Sequence, residues 1–223
     1  MIFVNFKTYP EATGEKAVKL AKICVEVAKE TGVKIIPIVQ AVDLGRVASL
    51  GAEVWTQHVD WQPAGQWTGF TNLEAIIGAG AKGTLLNHAE HQIPSGTIKQ
   101  TIARIQKFKG LKVQRFKTMI CCRTFGQVEK FVKMKPDFLA YEPKELIGGQ
   151  ISVSEVQPGA IGHLVEIAEK IPTVAGEGIH DGEDVKTTLK LGIKGILVSS
   201  AVVLAENPKQ KLLELANDYG KAV

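Results

Sequence analysis

The chain contains no apolar run of the roughly 18 residues that a membrane-spanning helix needs, which excludes a helical integral membrane protein. Its opening residues, MIFVNFKTYP, hold neither a basic n-region nor an apolar core of secretory type, so a cytoplasmic protein is expected. Cysteine is scarce. Cys121 and Cys122 are adjacent and Cys24 is remote, so no disulfide framework is present. Charge of one sign is nowhere concentrated: the net charge is +4, no block of five or six like charges occurs, and basic residues do not alternate with aromatics. Neither nucleic acid nor a membrane is therefore an expected partner.

Several catalytic signatures are missing as well. No Gly-x-Gly-x-x-Gly follows a strand and opens a helix, so a dinucleotide site is unsupported. No Gly-x-Ser-x-Gly elbow supports a Ser-His-Asp hydrolase. His88-Ala89-Glu90-His91 offers possible ligands but not His-Glu-x-x-His spacing, and it lacks the Pro-Cys-x-x-Cys half of a zinc deaminase signature. No metal is expected.

What the chain does have is a regular alternation. It is 223 residues long and 45% hydrophobic, enough for one sizeable core, and no low-complexity linker divides it. One domain over residues 1–223 is expected. Eight short apolar runs read as buried strands: Ile2–Lys7, Lys34–Gln40, Glu53–Val59, Gly83–Ala89, Lys117–Arg123, Asp137–Pro143, Pro172–Gly178 and Gly195–Ala201. Helical stretches lie between them, the clearest at Gly14–Glu30, Gly96–Phe108, Phe125–Met134, Pro158–Lys170, Glu183–Leu191 and Pro208–Tyr219, with shorter ones at Leu44–Leu50 and Leu73–Ala79. Ser154 and Gln157 have capping-box spacing ahead of Pro158, Asn207-Pro208 reads as a helix start, and Gly32, Gly110 and Gly192 mark helix stops. Strand–helix alternation implies parallel strands with right-handed crossovers. Eight units of this length predict an α/β fold, a closed (β/α)8 TIM barrel with trimmed loops; a doubly wound open sheet is the rival.

In such a barrel, chemistry belongs to the C-terminal strand ends. Polar residues recur there: Asn5 and Lys7, two apart and so expected on one face; Asn87, His88 and Glu90; and Glu142. The seventh and eighth ends carry Gly176-Glu177-Gly178 and Ser199-Ser200, small residues that let a ligand approach backbone N–H groups. Alone, Lys7 reads as a solvated loop residue, His88 as a hydrogen-bonded core histidine and Glu142 as a turn residue before Pro143. Together they converge on one mouth.

Asn5-Phe6-Lys7, Asn87-His88-Ala89-Glu90, Ala140-Tyr141-Glu142-Pro143 with Ile147-Gly148, and Leu197-Val198 before a small-residue loop resemble, in order and spacing, the triosephosphate isomerase family. The short length and the segments GEGIHDGEDV and EPKELIGG are most similar to its compact archaeal-type branch. The resemblance implies interconversion of dihydroxyacetone phosphate and D-glyceraldehyde 3-phosphate in glycolysis and gluconeogenesis, without metal or organic cofactor. It implies Glu142 as base, His88 as electrophile helped by Asn5 and Lys7, and Glu90 as the ion-pair partner of Lys7. It implies phosphate binding at Gly148, Gly176, Gly178, Ser199 and Ser200, with Pro143 to Gly149 as a lid. It also implies a homo-oligomer, a tetramer rather than a dimer, in which the loop carrying Trp67 and Thr68 reaches a neighbouring subunit.

The sequence departs from the family's pattern at Ala89, His91, Gln92, Gly149, Gln150 and Glu177. Glu177 raises the sharpest question, because a carboxylate beside a phosphate dianion opposes binding. Its side chain is expected to turn away toward a cation or backbone donor, or else phosphate affinity is weak. Two rivals stay open at this point: another phosphate-sugar barrel enzyme of epimerase or synthase type, and a non-catalytic barrel that binds a phosphate metabolite.

Overall fold

A computed structural model describes residues 1–109, 116–143 and 158–222. Its strands are β1 (Ile2–Asn5), β2 (Ile35–Val39), β3 (Trp55–Thr56), β4 (Gly83–Leu86), β5 (Lys117–Cys122), β6 (Phe138–Tyr141), β7 (Thr173–Ala175) and β8 (Gly195–Val198). All pair in parallel and in chain order, and β1 closes on β8 through Ile2–Ile196, Phe3–Leu197 and Val4–Val198. The ring is a closed (β/α)8 barrel, not the open-sheet rival.

The helices are α1 (Glu15–Thr31), α2 (Leu44–Ala48), α3 (Leu73–Gly78), α4 (Ser95–Lys109), α5 (Phe125–Val132), α6 (Pro158–Ile167), α7 (Gly182–Lys190), α8 (Ser200–Val203) and α9 (Pro208–Ala222). Their ends follow local chemistry. Asn72 and Thr124 accept N–H bonds as N-caps of α3 and α5, and Asp181 and Asp184 form a capping box on α7. Asn207 accepts from the Gln210 N–H at the start of α9. Gly32 ends α1 in the left-handed region. The expected Ser154–Gln157 box and the Gly110 stop lie outside the described residues.

Apart from Asn5, the residues of β1, β2, β4, β7 and β8 are apolar or small, and all five strands are buried throughout. Inside the ring, Phe3, Trp55 and Phe138 meet at centroid distances of 5.1, 5.6 and 5.9 Å. Gly83 is where that packing demands a missing side chain, since a Cβ there would stand 2.4 Å from the Trp55 ring. The interior is thus plugged with side chains, and only the rims remain for a ligand.

Several expected strands overrun the observed ones at one or both ends, and the overruns at the mouth have a local cause. The first stops at Asn5 because Lys7 takes φ 46°, and the fourth stops at Leu86 because Asn87 takes φ 61°. The eighth stops at Val198, and Ser200 already lies in α8. Asn tolerates the left-handed region, whereas lysine adopts it at a cost of about 1 kcal/mol or more. The chain peels off the ladder where it begins to build the site.

Candidate active site

Asn5, Lys7, His88, Gly176, Glu177, Gly178, Ser199 and Ser200 line one cavity of about 100 Å³ at the C-terminal mouth. Lys7 reaches it through the left-handed turn after β1, not through the strand alternation expected from its spacing to Asn5. That turn is braced: the Lys7 N–H donates to Asn5 Oδ1 at 3.0 Å, and Gln57 Nε2 donates to the Lys7 carbonyl at 2.8 Å and to Asn5 Oδ1 at 3.3 Å. Lys7 Nζ meets Glu90 Oε1 at 2.7 Å. Burial pushes the lysine pKa down, but the hydrogen bond and charge of Glu90, with help from Glu177, outweigh it and hold the pKa above the ordinary value. Lys7 is a permanent cation at this rim.

His88 has a defined tautomer. Its Nδ1 accepts from the Glu90 N–H at 3.2 Å, and a ring nitrogen that accepts cannot carry the proton of a neutral imidazole. Burial first, then Lys7 and His91, lower the pKa of the ring against the pull of Glu90, so it is neutral near pH 7. The proton therefore sits on Nε2, facing the cavity. Asn5 Nδ2 stands 3.5 Å from that nitrogen, because the Asn5 oxygen is already taken by Lys7 and Gln57. Two donors converge on one spot, an arrangement that favours an electron-rich oxygen between them.

Glu142 follows β6 and is fully buried. Its N–H donates to the Cys122 carbonyl at 2.7 Å, and its Oε2 accepts from the Ala89 N–H at 2.9 Å. Oε1 has no hydrogen-bond partner among the described residues and lies 3.5 Å from His88 Nε2. Burial pushes the carboxyl up to about 8, although the Cys121 thiol, the Ala89 N–H and Lys7 pull the other way; the charge of Glu177 adds to the rise. Buried carboxyls without a charged partner are uncommon, and a poised proton acceptor is one reason for them.

Gly176 lies against Glu142: a Cβ on it would meet Glu142 Cγ at 2.5 Å. Ser199 commits its hydroxyl to the Asn5 carbonyl at 2.7 Å, tying the end of β8 to that of β1. Gly148 and the expected lid segment 144–149 lie outside the described residues. Trp67 and Thr68 are elsewhere, on the exposed loop after β3, where Trp67 touches Trp61 and Phe70 at centroid distances of 6.0 and 5.9 Å. Sequence reasoning passed over Gln57 and Cys121. Both sit at strand ends, so the rule that selected Asn5 and Glu142 would have reached them. Among the described residues, no group of three or more His, Cys, Asp or Glu side chains could hold a metal ion, and no helix is long and apolar enough to cross a membrane.

A plugged parallel barrel with a raised carboxyl, a neutral imidazole and a fixed ammonium at its mouth defines an acid–base enzyme of the TIM-barrel class. The chain belongs to the triosephosphate isomerase family: the family's model matches residues 1–218. A triosephosphate isomerase from Methanothermus fervidus is 39% identical over 223 residues, covering 98% of each chain. Those from Methanothermobacter thermautotrophicus and Metallosphaera sedula are 36% and 38% identical, covering 97% and 100% of this chain and 94% and 97% of the relatives. These are archaeal relatives of nearly equal length, which places the chain in the compact branch. An orotidine 5'-phosphate decarboxylase structure from Pyrococcus horikoshii has a TM-score of 0.64 at 14% identity, covering 98% of this chain and 99% of that one. A thiamine phosphate pyrophosphorylase from Pyrococcus furiosus has a TM-score of 0.64 at 16% identity, covering 100% and 96%. Likenesses this remote speak for the fold alone.

Proposed function

We propose that this mouth interconverts dihydroxyacetone phosphate and D-glyceraldehyde 3-phosphate by moving one proton between adjacent carbons. The observation that carries the mechanism is Glu142 Oε1, without a hydrogen-bond partner among the described residues and buried 3.5 Å from the protonated nitrogen of His88. Oε1 takes the proton from the carbon beside the carbonyl. The C–H electron pair becomes the enediolate double bond, and the carbonyl pair moves onto oxygen. His88 Nε2–H and Asn5 Nδ2 donate to that oxygen, and Lys7 offsets its charge. The hydroxyl proton on the neighbouring carbon passes to that oxygen by way of His88 Nε2, and Glu142 then returns its proton to the former carbonyl carbon while the neighbouring oxygen becomes the new carbonyl. Atoms and electrons balance within the substrate, so the reaction itself calls for no redox carrier. Backbone N–H groups at Gly148, Gly178, Ser199 and Ser200 are the proposed phosphate anchors. Gly176, grouped with them on sequence grounds, serves the base instead.

A coupled assay of triose phosphate interconversion tests the reading. Because Glu142 titrates at about 8 and must be ionised to act, kcat/KM should rise with pH up to about that value, as free-enzyme groups govern this parameter. Absence of turnover would overturn the function. A kcat/KM that is flat between about pH 6 and 9 would overturn Glu142 as its base.

The proposal extends to one domain over residues 1–223, a cytoplasmic location in keeping with three free cysteines, and a homo-oligomer, preferentially a tetramer. Trp67 is 44% exposed and Phe70 47% exposed, a costly pair of rings to leave in water. Beside the site, a second cavity of about 340 Å³ opens between Lys7, Gln57, His58 and His91, room for the loop tip of another copy. Trp67→Glu is expected to shift the protein to monomers in sedimentation and to weaken activity. A parent that sediments as a fully active monomer at micromolar concentration would refute the oligomer.

A further inference from the structure

We propose that Glu177 sets the affinity of the mouth for anions, as a built-in carboxylate that competes with the substrate's phosphate for Lys7; this rests on the isomerase reading above. Glu177 sits between Gly176 and Gly178 and lines the same cavity as Lys7, Ser199 and Ser200. Its charge is felt by Lys7 and by the buried Glu142 and Cys121, so it acts across the interior of the site.

The charges around it do not balance in favour of a phosphate. Lys7 comes from the end of β1, Glu90 and the neutral His88 from that of β4, Cys121 from β5, Glu142 from β6, and His180 from the loop of Glu177 itself. Among the described residues, Lys7 is the one lysine or arginine facing the cavity, and it is already paired with Glu90 at 2.7 Å. His180 is engaged by Asp184 at 3.5 Å. With Glu142 protonated, two carboxylates face one ammonium among the described residues before any ligand arrives. A phosphate dianion can then bind tightly only if Glu177 is discharged or displaced. Burial already pushes the Glu177 carboxyl above its ordinary range, against the attraction of Lys7 and His180, so proton uptake on binding is the easier of the two routes.

The test uses intact protein and Glu177→Gln, titrated calorimetrically with inorganic phosphate at about pH 6 and pH 8, with triose phosphate turnover measured alongside. The variant should bind phosphate about tenfold more tightly or better at the higher pH, with a smaller gain at the lower one. Because the charge of Glu177 also raises Glu142, the rising limb of kcat/KM should move to lower pH in the variant, which a merely structural residue would not cause. Should Glu177→Gln fail to fold, Glu177→Ala carries the same expectations. Equal or weaker phosphate binding in the variant overturns the inference. A parent without turnover, alongside a variant with tightened phosphate binding, sinks the isomerase reading and leaves the inference standing; normal turnover with unchanged phosphate binding does the reverse.

Discussion

Glu142→Gln is expected to lower kcat by about three orders of magnitude and, at alkaline pH, to raise the melting temperature by several degrees. The two effects have one origin. A carboxyl without exposure to water, with one oxygen held by the Ala89 N–H and the other unpartnered among the described residues, is suited to accept a proton and poorly suited to carry a charge. Its pKa in the folded chain is about 8 against an ordinary 4.5. The folded state therefore binds the proton more tightly than the unfolded state. By linkage, stability is full below the unfolded value and falls as pH climbs from about 4.5 to about 8, by a total on the order of a few kcal/mol. Glutamine keeps the shape and can still accept the Ala89 N–H bond, but it neither takes a proton nor pays that pH-dependent penalty. The stability gap between variant and parent should be small near pH 5 and widest near pH 8. Thermal unfolding across that range, with steady-state kinetics at each pH, measures both. Near-normal turnover would remove Glu142 as the base, and a gap that does not widen with pH would mean that its carboxyl is not held neutral by burial.

The barrel was legible because strand burial on both faces leaves short, wholly apolar runs, and helix spacing separates them regularly. The positions of Asn5, His88 and Glu142 were legible for a simpler reason: a polar residue at the end of such a run has no place in the core. What the sequence could not show is how the chain leaves the strand. The left-handed turns at Lys7 and Asn87 are set by tertiary bonds, such as those of Gln57 to the Lys7 carbonyl and of Asn87 to the Cys121 carbonyl at 2.9 Å. Spacing rules therefore gave the right face for Lys7 by the wrong route. The tautomer of His88 was equally hidden, because it depends on a backbone N–H two residues away. The contact of Gly176 with Glu142 was hidden for a related reason. A glycine at a barrel mouth signals close approach, but the sequence does not say what approaches.

That close approach yields the second large effect. Gly176→Ala is expected to reduce kcat by about a hundredfold while the barrel still folds. The added Cβ would lie 2.5 Å from Glu142 Cγ, 3.0 Å from the Tyr141 carbonyl oxygen and 3.3 Å from Glu142 Oε1. The backbone cannot retreat easily, because the Gly176 N–H donates to the Tyr141 carbonyl at 2.9 Å and β7 is laced to β6 through Leu139–Thr173, Ala140–Val174 and Tyr141–Ala175. Relief must come from the Glu142 side chain, which has to move by about 1 Å to restore van der Waals contact, and a displacement of that size at a reacting group costs on the order of a hundredfold. Overpacking adds roughly 1–3 kcal/mol of lost stability. Gly162→Ala is the control: it lies in α6 with nothing within 4 Å of a Cβ, so it should gain up to about 1 kcal/mol from helix propensity and leave activity alone. The discriminating readout is the split between kcat and KM. A displaced base lowers kcat with little change in KM, whereas damage to the phosphate end raises KM. A Gly176→Ala protein with kcat within about threefold of the parent would show that Glu142 acts from a position other than the one this glycine leaves open.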